Sequence, residues 1–175
     1  MLQIELFIEN MIAEFGLTIV LLILLSKGLL IGKPLPAIMT ISTYAILFGY
    51  TTIESIIILC MITALATTSG ELVIFSYCKN PNNRFSKYIP NRIKNIINNN
   101  NNNGKFNKLF TKFSNNITIT IFIGNITTGI RGFASIVAGQ NKYSTYKFLI
   151  VSYTSTFLYH TILTFVFVTG FTVIF

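Results

Sequence analysis

Long stretches without a charged side chain dominate this sequence and restrict what it can fold into. No Asp, Glu, Lys or Arg occurs from Phe113 to Ile130, and none occurs in the 28 residues from Phe148 to Phe175. Only 10% of the residues are charged and 52% are hydrophobic, whereas soluble domains carry about 25% charged residues. Because about 20 apolar residues cross the core of a bilayer, the composition predicts one integral membrane domain of all-α class.

Two segments rich in glycine or proline interrupt the apolar sequence. The first, Gly28 to Thr43, contains Pro34 and Pro36, which cannot continue a helix. The second, from Gly124 to Gly139, is interrupted by glycines. We predict a re-entrant or broken helical hairpin at each, followed by transmembrane helices over about 53–78 and 148–175. Paired interruptions of this kind are typical of transporters with a site near the bilayer midplane.

The remaining segments are predicted to lie at the membrane surface. Residues 1–14 carry three glutamates and lack a signal-peptide pattern, which favours an interfacial segment before a single domain over 15–175. A connection over about 80–116 contains an Asn-rich tract flanked by amphipathic, interfacial helices. Eight of the 13 basic residues lie between Lys79 and Lys112 without any acidic residue. The positive-inside rule predicts that this loop is cytoplasmic, in a multi-pass protein of the plasma membrane.

Arg131 lies inside the second interrupted segment. An arginine at the centre of a bilayer costs about 3 kcal/mol on insertion scales, and it is kept where it faces protein, water or an anionic partner. Arginine also holds phosphate or carboxylate through two parallel hydrogen bonds. We therefore predict that Arg131 binds an anionic solute or lipid headgroup. Polar side chains and backbone N–H groups near it are predicted to assist, namely those of Asn125, Thr127, Thr128, Gly129 and Gly132.

Three ionisable residues within the apolar sequence are candidates for proton coupling or for charge partners of Arg131: Glu71, Glu54 and His160. A second interpretation is that Arg131 only neutralises Glu71 or Glu54 in a structural pair. His160 has the chemistry of a proton relay, and a hydrogen bond between helices is the alternative interpretation.

The composition argues against metal-assisted or cofactor-dependent catalysis. The chain has no Asp, one His and five Glu, whereas such enzymes bring several Asp or His side chains together. Cys60 and Cys78 are too far apart for a Cys-x-x-Cys motif, and both lie in apolar surroundings, where cysteine usually acts as a small apolar side chain. We predict no metal, no cofactor, no enzymatic activity and no nucleic-acid partner.

The residues around Arg131 resemble the C-terminal signature of the DedA membrane proteins, also called the SNARE-associated Golgi or VTT domain family. Gly129-x-Arg131 is followed by Ala138-Gly139, and Phe148 comes nine residues later. Further matches are supportive and include Gly28, Leu35-Pro36, Gly70-Glu71, Phe75, Cys78 and Lys79. The resemblance covers residues 15–175, and it implies that Gly28, Pro34, Pro36, Gly70, Ala138 and Gly139 are structural motif positions.

Several positions depart from the family pattern. The family generally has acidic residues where this chain has Ser26 and Ile38, an arginine where it has Asn125, and a proline where it has Thr128. In family members these carboxylates and arginines are implicated in proton-dependent transport, and of the four ionisable positions this chain keeps only Arg131. Glu71 occupies the acidic position of the family's Gly-Asp pair.

The resemblance implies that the protein moves lipids across the bilayer, as a flippase or scramblase of polyprenyl phosphates or phospholipids. A lipid phosphate is an anion attached to apolar chains, which matches a cationic group held at depth. We expect a lipid transporter whose partners are membrane lipids with anionic phosphate headgroups, with assembly into a homo-oligomer left open. The alternative is a structural or assembly protein that kept the fold and lost the site. The sequence does not identify the lipid.

Overall fold

The computed structural model describes residues 16–29, 37–81, 113–127 and 131–174. Six helices lie within these ranges, where no strand occurs: α1 (Gly16–Gly28), α2 (Ala37–Leu47), α3 (Ile53–Lys79), α4 (Ile117–Ile126), α5 (Arg131–Gln140) and α6 (Thr145–Ile174). The predicted all-α class is therefore confirmed for this part of the chain. Some predictions fall outside the described residues: the interfacial segment 1–14, most of the basic loop, Pro34, Pro36, Thr128 and Gly129.

Two of the helices are long and apolar enough to cross a bilayer. They are α3, with 27 residues, and the part of α6 from Thr145 to Gly170, with 26 residues. The start of α3 agrees with the prediction, and its end lies one residue beyond the predicted end. α6 begins three residues before the predicted start, because Lys147 is exposed in its first turn and a solvated charge does not end a helix.

α3 and α6 pack against each other in antiparallel orientation. Phe75 stacks on Phe148 with ring centroids 4.2 Å apart, Glu71 contacts Ser152, and Thr63 contacts His160. Each step toward the start of α3 is thus matched by an equal step toward the end of α6. This constant register determines which side chains of the two helices meet.

Glycine allows two close backbone contacts with α3. A Cβ atom at Gly28 of α1 would lie 2.8 Å from the Cα of Gly70, and a Cβ at Gly139 of α5 would lie 2.6 Å from the carbonyl oxygen of Phe75. Carbon atoms in ordinary contact lie about 3.5–4.0 Å apart. The absence of a side chain at these positions therefore brings α1 and α5 directly onto the backbone of α3.

The second interrupted segment folds as two separate short helices. α4 and α5 have ten residues each, which is about 15 Å and half of a 30 Å bilayer core. They pack against each other, and α4 also packs against α6 while α5 packs against α3. The first of the two ends at Ile126 with Thr127 as its C-cap, and the start of α5 lies beside Glu71 of α3.

Candidate functional site

Arg131 is the first residue of α5, directly after the break. The preceding helix ends at Ile126, where the N–H of Thr127 donates to the carbonyl of Ile123 at 2.9 Å. Thr127 is half-buried, and Gly132, which follows Arg131, is buried. The break thus brings the guanidinium into the bundle from the end of a helix.

The guanidinium of Arg131 has two polar contacts. Its Nε lies 3.2 Å from Oε1 of Glu71, and one terminal nitrogen donates to the backbone carbonyl of Asn125 at 2.6 Å. It also lies over the ring of Tyr159, 5.8 Å from the ring centroid. The side chain of Arg131 is 15% exposed, whereas that of Glu71 is 1% exposed. Arg131 is therefore the more exposed partner of the pair, and Glu71 is enclosed by protein.

The carboxylate of Glu71 is held by one hydrogen bond from the opposite helix, α6, which Asn125 of α4 supports. The hydroxyl of Ser152 donates to Oε2 of Glu71. The amide of Asn125 donates to the hydroxyls of Ser152, at 3.0 Å, and Ser155, at 2.9 Å. All these side chains except that of Arg131 are buried. Removing one partner of a buried ion pair typically costs about 3–5 kcal/mol, so this network fixes α3, α4, α5 and α6 together.

Asn125 lies within the network that holds the ion pair. Its side chain is 2% exposed and uses its donor group within the network. It supports Ser152, which in turn holds Glu71, and its backbone carbonyl accepts from Arg131. Asn125 thus positions the ion pair from within the bundle.

Lys27 is a second cation near this pair, and sequence reasoning did not select it. It lies at the end of α1, one residue before Gly28, which contacts the backbone of α3 at Gly70. Its ammonium donates to the hydroxyl of Thr40 at 3.3 Å. Burial, with a smaller contribution from the positive charge of Arg131, lowers the pKa of Lys27 to about 8. The positive charge of Arg131 acts on Lys27, so the two basic groups lie near each other in the bundle.

The other predicted charge partners lie elsewhere. Glu54 is exposed in the first turn of α3, 17 residues and about 25 Å from Glu71, where a carboxylate suits the helix dipole. His160 is fully buried on α6, and its Nδ1 lies 3.3 Å from Oγ1 of Thr63 on α3. The structure therefore pairs Arg131 with Glu71 and gives His160 a contact between helices.

The remaining predicted positions lie in helix contacts of α3. Gly28 and Gly70 touch each other, Gly139 contacts Phe75 and Cys78, and Ala138 is buried beside Phe75 and Phe148. Both cysteines are buried and unoxidised. Among the described residues, no three His, Cys, Asp or Glu side chains come together as metal ligands.

This arrangement has the chemistry of an anion site. Arg131 contacts one buried carboxylate and has a second basic group, Lys27, near it, and basic groups of this kind bind phosphate or carboxylate. Comparison with protein-family models, curated proteins and solved structures gives no match for the chain.

Proposed function

We propose that this protein is an integral membrane protein that moves phosphate-bearing lipids across the bilayer. The observation that carries the proposal is the pairing of Arg131, the more exposed partner, with the buried carboxylate of Glu71, with Lys27 as a second basic group near Arg131. Arg131 lies at a helix break, in a chain with two helices of membrane-spanning length. An anion with apolar chains satisfies both features, because the cations bind its headgroup while the chains stay in lipid.

In the proposed mechanism the ion pair is the resting state, and the headgroup replaces Glu71 as the partner of Arg131. Arginine binds a phosphate through two parallel hydrogen bonds, and the exposed side of its side chain gives the headgroup access. Glu71 keeps its hydrogen bond from Ser152 after Arg131 has turned away. Arg131 therefore keeps an anionic partner throughout the exchange, and the two hydrogen bonds to the phosphate must offset the loss of the cation beside Glu71.

The resemblance to the DedA family supports this proposal from the sequence side. In this proposal residues 28–43 correspond to the first broken hairpin of the family, and α4 and α5 correspond to the second. Gly28 and Gly139 allow these two regions to pack closely against α3. The protein would be a multi-pass plasma-membrane protein with the basic loop over 79–112 in the cytoplasm. The backbone N–H groups of Gly129 and Gly132 and the hydroxyls of Thr127 and Thr128 would add donors to the headgroup site.

Reconstitution into liposomes tests the proposal. Movement of a fluorescent phospholipid between leaflets is measured for wild-type protein, for Arg131→Gln, and for Lys147→Gln as a matched control. Lys147 is an exposed cation on α6. We expect wild-type protein and Lys147→Gln to move the phospholipid faster than protein-free vesicles do. Arg131→Gln should move it no faster than protein-free vesicles. Equal rates in wild-type and protein-free vesicles would overturn the proposal.

A structural or assembly role is the second candidate. The observation that favours this role is that the network is satisfied within the protein. Asn125 and Ser152 form hydrogen bonds with neighbouring side chains, and Glu71 is buried from solvent. A pair that never opens would hold the helices together without binding lipid. In that case Arg131→Gln would lower stability, and wild-type protein would not move lipid.

A further inference from the structure

A continuous stripe of polar side chains lies in the interface between the two longest helices. On α6 the stripe recurs every four residues, and all its members are fully buried: Ser152, Thr156, His160 and Thr164. On α3 the corresponding positions are also fully buried: Glu71, Thr67, Thr63 and Cys60. We call these eight residues the polar seam. Spacings of three and four place each set on one face of its helix.

The antiparallel register brings the two sets face to face. Ser152 contacts Glu71 and His160 contacts Thr63, so Thr156 lies opposite Thr67. The thiol of Cys60 lies within hydrogen-bond reach of the Thr164 hydroxyl. From Ser152 to Thr164 the seam extends for 12 residues, or about 18 Å. It therefore leads from the ion pair through more than half the thickness of a bilayer core.

Several polar atoms in the seam lack partners within the described part of the chain. Thr63 and Thr67 donate to the carbonyls of Cys60 and Thr63 in their own helix. The hydroxyl of Thr156 and Nε2 of His160 have no hydrogen-bond partner, and that of Thr164 has none beyond the weak thiol of Cys60. Buried polar groups are almost always satisfied by protein or by ordered water. The unsatisfied atoms lie one helical turn apart on the same face of α6.

The seam is closed at both ends. At one end the network of Glu71, Ser152 and Asn125 fills the space. At the other end the interface becomes apolar, with Ile56, Leu59 and Val168 buried in one cluster. A ligand of the seam must therefore be small, and it must both donate and accept hydrogen bonds.

We propose that the polar seam binds a file of water molecules between α3 and α6. A water beside His160 satisfies Nε2, and it reaches the hydroxyl of Thr156 or Thr164 one turn away. A buried water that bonds two to four polar groups is a stable part of a fold. The same file solvates the closed side of Glu71, next to the ion pair. This inference does not depend on lipid transport, since it rests on the packing of α3 against α6.

The two cysteines provide an internal comparison that tests the proposal. Cys60 belongs to the seam and is 0% exposed, whereas Cys78 lies in an apolar cluster with Ile74, Tyr77 and Ile136 and is 8% exposed. X-ray radiolysis generates hydroxyl radicals from bound water and oxidises the side chains beside it. In purified full-length protein we expect Cys60 to be oxidised several-fold faster than Cys78. Access from bulk solvent alone predicts the opposite order.

A variant that lacks two hydroxyls identifies the source of the oxidation. The double variant Thr156→Val with Thr164→Val replaces two buried hydroxyls by methyl groups of similar size. We expect the rate of Cys60 oxidation in this variant to fall to the rate of Cys78 oxidation. Thr154→Val, at an exposed position of the same helix, is the matched control and should leave the rate unchanged. A dry seam would show slow oxidation of Cys60 in wild type and a higher melting temperature in the double variant. Either of these results would overturn the proposal.

Discussion

Glu71 and Arg131 form an ion pair, 3.2 Å from Oε1 to Nε, that joins the middle of α3 to the first turn of α5. Glu71 reaches the pair from a helix of membrane-spanning length, and Arg131 reaches it from a break in the chain. The carboxylate is sealed on its far side by Ser152, while the arginine keeps an exposed side. This asymmetry makes Arg131 the group that can exchange partners.

Removing the arginine alone should destabilise the protein strongly. In Arg131→Ala the buried carboxylate of Glu71 has no cation, and we expect a loss of about 3–5 kcal/mol in the free energy of unfolding. The double variant Glu71→Leu with Arg131→Met should regain most of that loss, because it removes both charges. Thermal unfolding in detergent measures both effects. A double variant no more stable than Arg131→Ala would show that the pair is not the reason for the loss.

A methyl group at Gly70 should separate α1 from α3. The Cβ of Gly70→Ala would lie 2.8 Å from the Cα of Gly28, and backbone atoms cannot yield as a flexible side chain does. We expect a loss of about 1–3 kcal/mol, as for other overpacked sites. Gly170→Ala on α6 is the matched control, since a Cβ there meets nothing within 4 Å, and it should be neutral or stabilising by up to about 1 kcal/mol. Equal melting temperatures for the two variants would contradict the predicted backbone contact.

The Ser152 hydroxyl should contribute to stability through its hydrogen bond to Glu71. It donates to Glu71 and accepts from Asn125. Ser152→Ala therefore leaves Oε2 of Glu71 without its hydrogen bond, whereas the amide of Asn125 still donates to the Ser155 hydroxyl and the Ser152 carbonyl. Leaving one buried polar group unsatisfied costs about 1–3 kcal/mol. Thr154→Ala, at an exposed position two residues away, should change the unfolding free energy by less than about 0.5 kcal/mol. A comparably small effect of Ser152→Ala in detergent unfolding would argue against the network.

Lys27 should make headgroup binding depend on pH. Its pKa is lowered to about 8, so the second cation is present below that pH and is lost as the pH rises through it. A bound anion stabilises the ammonium, so the midpoint in the complex should lie above that of the free protein. We expect binding of a phosphate-bearing lipid to weaken across this range in wild type. In Lys27→Arg it should stay constant, because a guanidinium remains charged. Identical pH profiles for the two proteins would exclude Lys27 from the site.

The two longest helices were predictable from the sequence because the apolar composition that indicates them lies within each segment itself. Long runs with few charged residues define α3 and α6 to within three residues at their starts, and glycines mark the break between α4 and α5. Glu71 and Arg131 were also selected, since a charge inside an apolar run is conspicuous.

The surroundings of the pair depend on helix register, which a single sequence does not reveal. Lys27 belongs to the site only because α1 crosses α3 at Gly28 and Gly70. The polar stripe on α6 was visible as Ser, Thr and His residues at intervals of four, but only the register with α3 shows that it faces Thr63 and Thr67. The bonds of Asn125 to Ser152 and Ser155 arise from the same packing, so the sequence alone did not predict them.

The proposed lipid transport depends on the binding of a lipid phosphate by Arg131 and Lys27 in exchange for Glu71. Native mass spectrometry of the purified protein tests it most directly, with phosphatidic acid and diacylglycerol of identical acyl chains added in turn. We predict a stable adduct with phosphatidic acid, weak or no adduct with diacylglycerol, and loss of the preference in Lys27→Gln with Arg131→Gln but not in Lys147→Gln. Equal binding of the two lipids to the wild-type protein would contradict the claim.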